Sequence, residues 1–318
     1  MNEEKIDLIP DAHLLLSSLR SVGYKVETAV ADIIDNCISA HADEIHIDFI
    51  WNDVESSIYI YDNGEGMSKP DLISAMKIGS ADPNVIRSID DLGRFGMGMK
   101  TAAFSLGKRL TVYSKNKGEI SSACWDLEYI EQRHDGNWTL TVEQEDSEKH
   151  LAVFEAGTVV KIDNLDRLID ENSLKKSKIN FFNTMEKVKS HTSLIFHRFI
   201  EEDGLKIYFG EELTEAWNPF ILNNAATQEL SEENIEGDKP VYIQPYVLPH
   251  KTKFNSEEEY KLAQGYRGWN AHQGFYVYRN RRLLVYGTWF DFLKKEPAFN
   301  LASVSMGAEF NDENEEEE

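Results

Sequence analysis

Two side chains four residues apart, Asp32 and Asn36 in Asp32-Ile33-Ile34-Asp35-Asn36, supply a carboxylate and a carboxamide oxygen. On a helix that spacing stacks them on one face while Ile33 and Ile34 turn toward a core. A carboxamide oxygen is a hard neutral ligand suited to magnesium, which keeps several waters and shares phosphate oxygens. A carboxylate nearby can orient or deprotonate an attacking water. Taken alone, the pentapeptide suits a solvated helix face at least as well.

A second segment, Asp62-Asn63-Gly64-Glu65-Gly66-Met67, follows a strand pattern directly. Asp62 at the strand end is placed to accept a hydrogen bond from the exocyclic amine of adenine, and the two glycines let backbone approach a flat base without a Cβ clash. A tight turn would select Asp-Asn-Gly too. A third segment, Gly93-Arg94-Phe95-Gly96-Met97-Gly98-Met99-Lys100-Thr101, has glycines that free successive amides toward phosphate oxygens. The helix after it adds the positive end of its dipole, and Lys100 adds a point charge. This is not a Walker A sequence, nor does it follow a first strand as a dinucleotide fingerprint does.

The elements that must position these residues follow from periodicity. Helices are expected over Asp11–Arg20 and Lys25–Ala40, the second burying Ala29, Ile33 and Ile34. Ile45–Phe49 and Ser57–Tyr61 alternate at period two and predict adjacent strands joined through Asn52-Asp53. Strands recur at Leu110–Ser114, Ser121–Asp126, Trp138–Glu143 and Gly157–Ile162, which ends a first domain near residue 170. Ser173–Ile200 predicts two linked helices, and Leu205–Tyr208, Val241–Val247 and Gly274–Tyr286 predict strands of a second domain. Helices followed by strands favour an α+β sandwich over a doubly wound parallel sheet.

Composition narrows the classes. With 33 Lys and Arg against 56 Asp and Glu the formal charge is −23, and without the six acids of Asp312–Glu318 it is still about −17. Such a surface opposes nonspecific attraction to nucleic acid or anionic membrane, so a phosphate site must be built locally. Cys37 and Cys124 lack metal-ligand spacing and are expected as buried reduced thiols. The charged N-terminus leads into no apolar stretch, and no run approaches the roughly 20 residues needed to cross a bilayer, so a cytoplasmic protein without membrane partners is expected.

In order and spacing, Asp32–Asn36, Asp62–Gly66, Gly93–Thr101 and Gly157-Thr158-Val159-Val160-Lys161 resemble the GHKL ATPases, which include gyrase B, MutL, the ninety-kilodalton heat-shock chaperone, histidine kinases and the MORC proteins; the pattern is nearest to MORC and MutL. The resemblance implies a Bergerat-type α/β sandwich that binds ATP and Mg2+, over residues 1–170. A helical connector over 171–204, a smaller ribosomal-protein-like transducer α+β domain over 205–310 and an acidic tail over 311–318 complete the expected division. It implies that Asn36 ligates magnesium and that Asp62 reads adenine with Gly64, Gly66 and Met67 as its turn. Gly93, Phe95, Gly96, Met97, Gly98, Met99, Lys100 and Thr101 would form the phosphate loop, and Thr158 would support the base through Asp62. Residues 76–92 would form a lid over the nucleotide.

One departure bears on rate. The family's general base is usually a glutamate four residues before the asparagine, whereas this chain has Asp32, set back by one methylene, about 1.5 Å. Misplacement near 1 Å can lower a rate about a hundredfold, so slow hydrolysis is expected. Glu27 is no substitute, because five residues turn it about 140° around the helix. Gly274–Leu284 resembles the strand that opens the transducer, with Arg279, Arg281 and Arg282 as candidates to reach the γ-phosphate and Arg279 as the assigned one; an edge strand made soluble by charge would carry the same run. The family's transducer lysine lies beyond the end of this chain, which implies part of a longer protein.

Three functions fit these residues. The first is a slow ATPase switch in which an ATP-dependent homodimer closes as a clamp, with a DNA or protein client not indicated by charge. An ATP-sensing module without significant hydrolysis is the alternative. A histidine kinase would need a phosphoacceptor helix, for which only His13 is available in the short N-terminal segment.

Overall fold

The computed structural model describes residues 10–21, 23–79, 98–133, 135–145, 148–235 and 241–308. The chain divides into two compact units, one built on residues up to Val188 together with Lys206–Leu213, the other on Lys189–Leu205 and on Thr214 onward.

The first unit begins with α1 (Ala12–Arg20), whose N-cap Asp11 accepts from the Leu14 amide at 3.0 Å. Next, α2 (Val26–Ser39) buries Ala29, Val30, Ile33, Ile34 and Cys37 on one stripe, the spacing that an amphipathic helix requires. It is followed by β1 (Glu44–Ile50), β2 (Ser57–Asp62), α3 (Lys69–Met76) and α4 (Gly98–Leu106). The unit continues through β3 (Arg109–Asn116), β4 (Glu119–Asp126), α5 (Leu127–Arg133), β5 (Thr141–Glu145) and β6 (Gly157–Asp163). Helix α6 (Leu174–Ile195) contributes residues to both units and is followed by α7 (His197–Glu202), β7 (Lys206–Phe209) and β8 (Glu212–Leu213).

An eight-stranded sheet runs in the order β5-β4-β3-β6-β2-β1-β7-β8. Its pairs are antiparallel except β1 with β7. The alternation in β1 and β2 puts Ile45, Ile47, Ile58 and Ile60 on the buried face with Val160 and Ile162 of β6. Tyr59, Tyr61 and Tyr113 face the other way, where they pack with Phe154 against Ile120, Leu151 and Val159. Leu205–Tyr208, expected in a second domain, is instead placed as β7, pairing His46 with Tyr208 in the first sheet. A four-residue strand carries no local mark of which sheet it will join.

The second unit holds β9 (Gln228–Glu229), β10 (Glu233–Ile235), β11 (Val241–Val247), α8 (Glu257–Ala263), β12 (Gly274–Arg279), β13 (Arg282–Thr288) and β14 (Ala302–Ala308). Its sheet runs β10-β11-β14-β12-β13, with β9 beside β11. The stretch expected as strand from Gly274 is a hairpin, turning at Asn280 and Arg281 with φ of 46° and 66°. Two positive φ angles define the tight hairpin turn whose twist matches its strands. Aromatic packing fills the core: Phe220 stacks on Tyr246 at 4.4 Å and meets Tyr276 at 5.3 Å. The mixed helix and strand content, with an antiparallel-rich large sheet, is the α+β class expected.

Candidate nucleotide site

Asp62 ends β2 at 3% exposure. Its Oδ1 accepts from the Gly64 amide at 2.9 Å, so the carboxylate closes its own turn. Burial pushes the carboxyl up to about 6, while the Gly64 amide, the Cys37 thiol and the Thr158 amide pull it back toward the ionised form. Asp62 makes no ion pair among the described residues. A buried carboxylate without a counter-cation is an unusual group, and such groups concentrate where chemistry is done.

The two glycine positions of the turn after Asp62 leave no room for a side chain. Gly66 has φ +64°, and a Cβ there would lie 2.0 Å from the Lys115 carbonyl oxygen. Gly157 at the start of β6 has φ +150°, and a Cβ there would lie 2.1 Å from the carbonyl oxygen of Asp62 itself. Register places Asp62 opposite Thr158 in β6, and Thr158 opposite Ser114 in β3. The Met67 amide donates to Ser114 Oγ at 2.8 Å, and Ser114 Oγ lies 3.0 Å from Thr158 Oγ1.

Helix α2 meets this turn at its C-terminal end, where the Glu65 amide donates to the Ala40 carbonyl at 3.0 Å. Asn36 is exposed, and its Nδ2 donates to the Asp32 carbonyl at 2.8 Å, which leaves Oδ1 as the acceptor atom. Asp32 is half-buried, with Oδ2 accepting from Tyr24 Oη at 2.9 Å. Tyr24 also bonds Thr101, and burial next to Asp32 pushes its hydroxyl up to about 12, so it stays a donor. Tyr24 and Ser114 were not among the candidates drawn from the sequence. Neither lies in a motif, and only register and packing bring them in.

Helix α4 packs beside α2 and begins at Gly98, where a Cβ would meet no atom of the described residues within 4 Å; the Thr101 hydroxyl donates to the Gly98 carbonyl at 3.1 Å. Gly93, Phe95, Gly96 and Met97 lie outside the described residues, as does most of the expected lid. Lys100 departs from expectation. Its ammonium turns into the protein, donating to the Ala75 carbonyl at 2.5 Å and the Lys77 carbonyl at 2.7 Å, where it caps α3. Burial lowers it to about 8. Carbonyls at a helix C-terminus attract a cation strongly, and the sequence carries no sign of that competition with phosphate.

In the second unit Arg279 is half-buried at the end of β12. Arg281 pairs with Glu202 and with Asp203, the latter at 2.5 Å. Arg282 is buried, donates to the Leu283 carbonyl at 2.7 Å and lies 4.6 Å over the Phe196 ring. Among the described residues no group of three or more His, Cys, Asp or Glu side chains could hold a metal ion, and no helix is long and apolar enough to cross a membrane.

The first unit thus joins a buried acceptor, a turn with two glycines where a Cβ would clash, a carboxamide-bearing helix and the start of α4, and this donor and acceptor set fits a purine triphosphate. Residues 24–158, from the approach to α2 through Thr158, match the family of histidine kinase-, DNA gyrase B- and HSP90-like ATPases. That segment is similar to the GHKL-type ATPase domains. It is similar to ATPase morc-1 of Caenorhabditis elegans, 32% identical over 95 residues, which are 30% of this chain and 11% of that protein. The match therefore spans about a tenth of the relative's length. Family and relative support ATP binding and hydrolysis as the general activity of the domain.

Proposed function

We propose that the first unit binds ATP with magnesium and hydrolyses it slowly, as a timer for closure of two subunits. The observation that carries this reading is Asp62, an anion held out of water beside a turn whose glycines admit no side chain. An amine such as that of adenine would restore to it the donors that burial removed. Gly64, Gly66 and Met67 shape the surface for the base, and Thr158 braces Asp62. Asn36 Oδ1 would hold the magnesium, which when bound neutralises charge on the phosphates. The amides of Gly98, Met99 and Thr101, with Gly93, Phe95, Gly96 and Met97 before them, would receive the phosphates. Asp32, fixed by Tyr24, would orient the attacking water.

Lys100 enters this reading as a phosphate partner only on release from the α3 carbonyls, and Arg279 as the residue a transducer-like second unit brings to the nucleotide. ATP sensing without hydrolysis is favoured by one feature, the short Asp32 in place of glutamate. Phosphate release measured with and without magnesium separates the two. Slow, magnesium-dependent release abolished by Asp32→Asn is expected. Binding of ATP with release no greater than in Asp32→Asn would select the sensor, and absence of ATP binding would remove both.

A further inference from the structure

Three consecutive residues at the end of β3 grip the turn after β2 in reverse order. Asn116 Nδ2 donates to the Glu65 carbonyl at 3.0 Å. The Lys115 carbonyl fills the space where a Gly66 side chain would stand. Ser114 Oγ accepts from the Met67 amide at 2.8 Å. The turn beside Asp62 thus takes its shape from a strand 47 to 51 residues further along the chain.

Ser114 does more than hold backbone. It is fully buried, and its hydroxyl sits 3.2 Å from the Gly157 carbonyl and 3.0 Å from Thr158 Oγ1, besides its bond from Met67. A serine hydroxyl has one proton and two lone pairs. Met67 N–H takes one lone pair, and the Gly157 carbonyl, which can only accept, takes the proton. The remaining lone pair then receives the Thr158 proton. In this arrangement every group is satisfied, and Thr158 Oγ1 has only acceptor capacity left to offer. Thr158 is the register partner of Asp62, so two acceptors stand side by side where β2 ends and β6 begins.

We propose that Ser114 is a positioning residue for base selection: it orients Thr158 so that Thr158 and Asp62 both present acceptors, which welcome a 6-amino purine and disfavour a 6-oxo purine. An amine offers donors to both oxygens, whereas a 6-oxo group sets oxygen against oxygen. Removing the Ser114 hydroxyl frees the Thr158 proton to turn toward the ligand, where it can donate to that oxygen. The inference rests on the ATP reading above.

The test is equilibrium binding of ATP and of inosine triphosphate, each with magnesium, to the full chain and to its Ser114→Ala and Ser114→Cys variants. The unaltered chain is expected to prefer ATP by about tenfold or more, and both variants to lose most of that preference. The ratio within one variant is unaffected by a fraction of unfolded protein, and Ser114→Cys, of similar volume, carries the test should Ser114→Ala not fold. A preference unchanged in the variants would overturn the role of Ser114 while leaving the ATP reading intact. Equal binding of the two nucleotides by the unaltered chain would do the same, and no binding of either would remove the ATP reading and this inference together.

Discussion

Asp62 and Arg282 are both charged side chains withdrawn from water, at 3% and 7% exposure, yet their surroundings differ in kind. Arg282 lies over an aromatic ring and donates to its neighbour's carbonyl, while Arg281 beside it is matched by Glu202 and Asp203. Each of these cations has a partner within its own unit. Asp62 has the amides of Gly64 and Thr158 and the Cys37 thiol, no cation among the described residues, and a carboxyl that burial raises to about 6. Compensated burial is what structure needs, and uncompensated burial is what a ligand can use. The comparison moves weight from the arginine run toward the turn in the first unit.

The largest effect expected of any single change is at the turn. Gly66→Ala forces a Cβ onto the Lys115 carbonyl at a positive φ and should lower the stability of the first unit by on the order of 3 kcal/mol. Thermal unfolding followed by calorimetry would read this as an early transition. An unshifted transition would mean that the turn is not held as described.

Next comes the titration of Asp62. Its folded carboxyl lies above the ordinary value of 3.8, at about 6, so its contribution to stability is present below about pH 4 and is lost as pH rises through 6. At pH 8 the buried charge works against folding by roughly 3 kcal/mol, which Asp62→Asn should largely relieve, with no gain at pH 4. Unfolding midpoints of both proteins across that range check the sign. ATP binding should run the opposite way, weakening about tenfold from pH 7.5 to pH 5 as Asp62 takes up a proton, with a smaller change in Asp62→Asn.

The smallest effect sharpens the other side of the comparison. Arg281→Ala should change stability by less than about 1 kcal/mol, since its ion pairs are partly exposed. Its ATP affinity should match that of the unaltered chain. A large fall in affinity would return the arginine run to the nucleotide.

Periodicity made much of the first unit legible. The stripe of Ala29, Ile33 and Ile34 and the alternation through Ile45–Phe49 and Ser57–Tyr61 are consequences of local geometry, and burial follows them. Cys37 and Cys124 are buried free thiols as their spacing implied. What periodicity cannot carry is partnership across the chain. Lys206–Phe209 pairs in parallel with β1, a strand remote from it in the chain. Ser114 meets Met67 only because β6 lies between β3 and β2, and no motif spells that order. For Lys100 the sequence showed a cation after glycines, but not the helix end that claims it.

Calorimetric titration of magnesium-ATP into the intact chain and into Asp62→Asn at pH 8 tests the central claim most directly. The account predicts saturable binding by the unaltered chain and at least an approximately tenfold loss in the variant, in keeping with about 1.5–3 kcal/mol for a hydrogen bond to a charged group. Equal affinity in the two proteins, or no heat of binding in either, would contradict it.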